Sequence, residues 1–200
     1  MLRLRSSYRR RKRSSEKRTR SLKGELLEPR WAPAVVTWNV DADGFWDVGS
    51  NWSTGSVPQP GDDVVIDRPA GDFDITFRSE SGTAQINSLT STERVTISGG
   101  ILDVTTGVQV SNSFQLSGGT IRNATIIPGS GGQGVTVTAN STLDGVTLEA
   151  DMSLTNADYN SIRTLTIENN LVLNGEFTMT RAGYLGLTHL DFPGDQTLSG

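Results

Sequence analysis

The chain has 200 residues and a formal charge of −4, long enough for one domain of ordinary size with its own core. That charge is divided: residues 1–30 hold twelve Lys and Arg against three Glu, while the rest of the chain holds six Arg against nineteen acids and no lysine after Lys23. Cysteine is absent, which excludes disulfides, thiolate catalysis and cysteine zinc sites together, and no stretch approaches the ~20 apolar residues of a membrane-spanning helix.

The first element is a basic leader, "LRLRSSYRRRKRSSEKRTRSLK". Charge alone would let it hold phosphate backbones or anionic lipid. The plainer reading is a disordered targeting segment, because nucleic acid repels the acidic body. It is not an ordinary secretory signal, since the run of roughly 7–15 apolar residues expected after the charges is missing. The leader is placed at residues 1–34 and a Trp-containing capping region at 35–85. In that region "VPQPGDDVVID" breaks the chain at Pro58, Pro60 and Gly61 before a short buried strand, Val64–Ile66. "FDITF" at 73–77 alternates apolar and polar residues and predicts a second strand.

From Ile86 the texture is uniform, with short β-branched pieces such as "RVTISGG", "ILDVTTG", "TIRNATI" and "TLTIENN" separated by Gly, Asn, Asp and Ser. No helical periodicity is sustained, so the segment is all-β. "TIRNATI", "TLDGVTLEA" and "TLTIENN" begin at Thr120, Thr142 and Thr164, and two "SGG" turns begin at Ser98 and Ser117. A repeat of about 20–22 residues holding two or three short strands predicts one coil of a single-stranded parallel β-solenoid, with coils over 86–200. An antiparallel β-sandwich is the alternative fold. "DQTLSG" at the end reads as the start of a further unit, so the chain is expected to continue.

Several residues invite chemistry. "DADGFWD" sets Asp41, Asp43 and Asp47 around a glycine, a pattern of hard oxygen ligands that predicts a weak calcium loop at best; otherwise it is a plain turn and no cofactor is expected. Asp62, Asp63, Asp67, Asp72 and Asp74 form a second acidic group, suited either to polysaccharide chemistry or to turns flanking a strand. His189 is the only histidine, and no "GxSxG" elbow accompanies it. Trp38, Trp46 and Trp52 either plug the solenoid mouth or stack on sugars. "GSGGQG" at 129–134 lacks the Lys and helix of a phosphate loop and reads as a loop bulging from the solenoid. Asn51, Asn123 and Asn140 stand in Asn-x-Ser/Thr sequons.

Two resemblances bear on function. Leu27, Glu28, Pro29 and Arg30, closing an Arg-rich stretch and followed by Trp-Ala-Pro-Ala, resemble the leader of large secreted planctomycete proteins; the usual leucine pair after the Arg is replaced by Trp31-Ala32-Pro33. The stretch with Trp38, Trp46, Asn51-Trp52-Ser53, Pro58, Asp62-Asp63 and Val64-Val65-Ile66 is similar to the opening of bacterial surface β-helix proteins of the adhesin, autotransporter-passenger and pectin-lyase-like type. These resemblances imply export and a β-helix, right-handed by family habit, and they imply no particular reaction; the chain is read as a non-enzymatic, secreted or cell-surface protein, structural or adhesin-like. Its expected contacts are extracellular polysaccharide or cell-surface matrix, with no nucleic acid, and it is expected to be a monomer or part of a longer chain. The rival expectations are a polysaccharide lyase or glycoside hydrolase with catalytic coils downstream, and a carbohydrate-binding module using Trp46 and Trp52.

Overall fold

The computed structural model describes residues 33–159, 161–181 and 186–200. The leader motif at Leu27, Glu28, Pro29 and Arg30 lies outside the described residues, as does Trp31. Every pairing between the strands is parallel. One coil illustrates the rest. Arg94–Ile97 lies on a first face, Ile101–Val104 on a second and Gly107–Val110 on a third. Phe114–Leu116, Thr120–Arg122 and Thr125–Ile127 then lie beside them in the same order, one coil further on.

The first face is a seven-stranded sheet running from Gly44–Phe45 to Phe177–Arg181. The second and third faces join into one sheet because Ser141–Leu148 and Ile162–Leu173 run through the corner between them. The chain is therefore a parallel β-solenoid. An antiparallel sandwich, which needs antiparallel neighbours within each sheet, is excluded.

Strict alternation makes this architecture. In the strand Arg94–Ile97, Val95 and Ile97 are buried while Arg94 and Thr96 are partly exposed, as the period of two along a strand requires. Stacking in register turns the inward positions into columns. On the first face one column is Ile75, Val95, Phe114, Val135 and Met152, and the next is Phe77, Ile97, Leu116, Val137 and Leu154. The second face supplies Leu102, Ile121, Leu143 and Ile167. The third supplies Val36, Val64, Leu89, Val108, Ile126 and Leu148. Burying each such side chain contributes about 1.5–3 kcal/mol relative to leaving it in water.

Corners need the left-handed backbone that β-branched residues resist. Asn123, Asn169 and Asn170, with φ of 57°, 51° and 73°, and Gly145 with φ of 65°, all lie at the corner between the second and third faces. A polar column runs outside this corner: Asn123 Nδ2 donates to Asp103 at 2.8 Å, and Arg122 Nε and Asn169 Nδ2 both donate to Asp144. Burial pushes the Asp144 carboxyl up, but the bonds from Asn169 and Arg122 outweigh it and hold the group below its ordinary value.

The parallel ladder does not wait for Ile86. Val35–Thr37 pairs with Asp63–Ile66, which pairs with Ser88–Ser91, and Gly44–Phe45 pairs with Asp74–Phe77. Residues 35–85, expected as a region ahead of the coils, are thus wound as coils themselves. The front coil is wider: Val35 pairs with Asp63, 28 residues on, whereas Ile101 pairs with Thr120, 19 residues on.

The repeat also drifts. Thr120 pairs with Thr142 as the 22-residue spacing predicts, but Thr142 pairs with Thr166 rather than Thr164. A slip of two residues leaves inward and outward positions unchanged, so the hydrophobic pattern alone does not reveal it.

Gly119 provides a test of the corner between the first and second faces. Its φ is 71°, and a Cβ there would stand 2.8 Å from the Gly100 carbonyl oxygen. Gly119→Ala is expected to destabilise the protein by about 1–2 kcal/mol from the left-handed backbone alone, with the steric conflict adding to it. A thermal melt followed by circular dichroism checks this, and an unchanged Tm would contradict the described turn.

Candidate functional site

The three described tryptophans fill the front of the core. Trp38, Trp46 and Trp52 are each 1% exposed. Their rings meet edge to face, with centroids 5.1 Å apart for Trp38 and Trp52 and 4.7 Å for Trp46 and Trp52, and Trp46 continues onto Phe77 at 5.5 Å. Trp52 Nε1 donates to the Trp46 carbonyl at 2.8 Å. The Nε1 groups of Trp38 and Trp46 have no acceptor among the described residues, a cost that the large buried ring area offsets. Sugar stacking by these rings is corrected by the structure, since stacking requires an open ring face and theirs are packed.

Asp41, Asp43 and Asp47, the candidate calcium ligands, each engage a different partner. Asp41 pairs with Arg68 at 2.6 Å. Asp43 accepts the Asp74 backbone N–H at 2.8 Å. Asp47 takes both Nε and Nη2 of Arg78, at 2.9 and 2.8 Å, and the Arg78 guanidinium lies 3.7 Å over the Phe45 ring. The carboxylates therefore point to separate partners in the next coil. Among the described residues no three His, Asp or Glu side chains converge as metal ligands. The Arg78 bonds hold the Asp47 carboxyl below its ordinary value.

The second acidic group is likewise spread out. Asp62 is buried and accepts the backbone N–H groups of Ala34 and Gln59, Asp63 accepts from Asn87 and Ser88, Asp67 from Thr92, and Asp74 from Thr96. His189 is exposed on the strand Leu187–Asp191, paired with Thr164. The "GSGGQG" segment is a loop between Thr125–Ile127 and Val135–Val137, closed by Gly131 N–H donating to Gln133 Oε1 at 2.8 Å. Glu93, unremarkable in the sequence, is 3% exposed and ties a neighbouring loop by accepting the N–H groups of Arg68 and Phe73.

What the structure brings together is the outer side of the first face. Phe45, Thr76, Thr96, Gln115, Thr136, Ser153 and Thr178 occupy successive registers of one outward column. A second row of hydroxyls runs beside it, with Ser117 and Thr138 at 2.6 Å and Thr155 and Thr180 at 3.1 Å.

Two grooves open along this face. One, of about 360 Å³, is lined by Gly132, Gly134, Thr136, Asp151, Ser153, Glu176 and Thr178, and the other, of about 280 Å³, by Asp43, Gly44, Phe45, Asp74 and Thr76. They share one backbone contact: Asp151 accepts the Glu176 N–H at 2.8 Å as Asp43 accepts that of Asp74. Glu176 also accepts the hydroxyl of Thr178 on its own side, and Asp74 that of Thr96 from the next coil. The Thr-x-Thr signal of "VTVT" and "FTMT" is visible in the sequence, but sequence reasoning did not read it as a surface, because only register places those residues on one face.

This places the chain in the class of parallel β-solenoids. No known protein family matches it, and no curated protein or solved structure does so.

Removing an indole from the front cluster should cost stability. Trp52→Ala is expected to destabilise by about 3–5 kcal/mol, read as a lower Tm. The Asp47–Arg78 pair gives a pH dependence. Because the folded-state pKa of Asp47 is lowered, its stabilisation is present above about pH 4 and is lost as pH falls through the folded value. Asp47→Asn should therefore lower Tm at pH 7, and the gap to the parent protein should close in melts taken progressively below pH 4.

Proposed function

We propose that the chain is an exported, non-enzymatic protein of the bacterial cell surface or extracellular space, structural or adhesin-like in its work. The observation that carries this reading is the first face, a register-matched sheet of seven strands whose outward column is polar from Thr76 to Thr178. A stack of coils bonded strand to strand changes shape little on contact, and from Thr76 to Thr178 it presents a polar side chain at each step. Carboxylates on the wide front coil hold neighbouring coils together, which supports a scaffold role for them. The leader resemblance supplies the export reading, and the likeness of residues 38–66 to surface β-helix proteins supplies the location. Among the described residues no helix is long and apolar enough to cross a membrane.

Expression of the full chain in a planctomycete host tests this. External protease should remove the protein from intact cells or their medium, and a chain lacking residues 1–34 should stay protected inside. Protection of both forms would overturn the export reading. One observation favours polysaccharide cleavage as a second reading, namely the carboxylate pairs Asp43/Asp74 and Asp151/Glu176 beside open grooves. Release of reducing ends from a polysaccharide panel, abolished by Glu176→Gln, would establish it; none is expected.

A further inference from the structure

We infer that the outer first face binds a linear polysaccharide bearing amino groups, with the chain lying along the solenoid axis across both grooves. This rests on the surface-contact reading above and names its partner. Three observations converge on it. The column from Thr76 to Thr178 presents hydroxyls and the Gln115 amide in register, one per coil. Strands of successive coils stand roughly 4.8 Å apart, of the order of one sugar ring, so a polymer with regularly spaced hydroxyls meets a donor or acceptor at each step.

The grooves at the two ends of this column each carry a carboxylate pair, Asp43/Asp74, where Arg94 stands in register beside Asp74, and Asp151/Glu176. Beyond Arg30 the chain holds nineteen acids against six Arg, so it repels polyanions and attracts amines. In each pair the first acid already accepts the next coil's backbone N–H. A carboxylate has about four acceptor sites, which leaves capacity for an ammonium. Buried rings play no part in this site. The contact is polar, shallow and repeated, so affinity comes from length rather than from one pocket.

The grooves are separated by four coil steps, from Thr76 to Ser153, or roughly 19 Å. Oligomers shorter than about four sugar units therefore cannot engage both ends.

The test is titration of the full chain with chitosan oligomers of graded length by calorimetry at fixed moderate salt, with hydroxyethylcellulose and polygalacturonate as neutral and anionic probes. Chitosan should bind, and affinity should rise as length passes about four units. Asp151→Asn with Glu176→Gln should weaken it about tenfold or more; both replacements keep an acceptor oxygen, and a circular dichroism spectrum and melt verify the fold. Glu168→Gln with Asp191→Asn, the same charge change on the second face at exposed positions, should leave affinity unchanged.

Equal loss in both double variants would reduce the effect to net charge and overturn the proposal. Absence of chitosan binding, or preference for either other polymer, would overturn it too. If these fail while external protease still reaches the protein, the surface reading stands and only the ligand class falls.

Discussion

Successive coils hydrogen-bond through parallel strands, on three faces from Thr83–Ile86 onward and on two in the front coil, and nearly every other feature depends on that ladder. A parallel ladder satisfies the backbone only between coils, so a coil alone has neither its hydrogen bonds nor a closed core. Register then decides composition. Once Val95 sits over Phe114, and Phe114 over Val135, the inward positions become continuous apolar columns and the outward positions become continuous polar ones. A single-residue slip would exchange the two sets, which explains why the pairing is held despite coil lengths that differ from one step to the next.

The acidic body is compatible with this architecture because its carboxylates are used locally. Asp62 and Glu93 each accept two backbone N–H groups, while Asp43 and Asp151 each accept one from the following coil. Charged acceptors of this kind make stronger hydrogen bonds than neutral ones, and they secure the loops where the ladder is interrupted. Arginine serves at a few places where a longer reach is needed. Arg78 grips Asp47 with two parallel bonds and covers Phe45, joining the wide front coil to the one behind it. The aromatic cluster of Trp38, Trp46, Trp52 and Phe77 fills the broad front of the core, where aliphatic columns of ordinary width would leave space.

The consequence for function is a division between the inside and the outside of one strand. The same residues that alternate inward to make the core force their neighbours outward in register, so the hydroxyl column and the grooves of the first face arise from the packing itself. A surface built in this way repeats with the coil. The indoles are enclosed, whereas Thr136, Ser153 and Thr178 border an open groove.

Much of the fold is legible in the sequence. The absence of helical periodicity, the strands at 64–66 and 73–77, the Gly and Asn corners and the spacing near twenty residues all state a parallel stack, since each follows from local alternation or from backbone preference. The wide front coil was not legible, because its pairs lie 28 and 31 residues apart with loops and prolines between them. The shift from Thr164 to Thr166 was hidden by parity. Sequence alone determined that the chain is β, that it is stacked, and that its leader and body are different materials, for these depend on composition and on neighbours a few residues apart. Tertiary structure alone decided which outward residues share a face, which acids pair across coils and that the indoles are buried, for those depend on registers between segments some twenty residues apart, fixed only when one coil packs against the next.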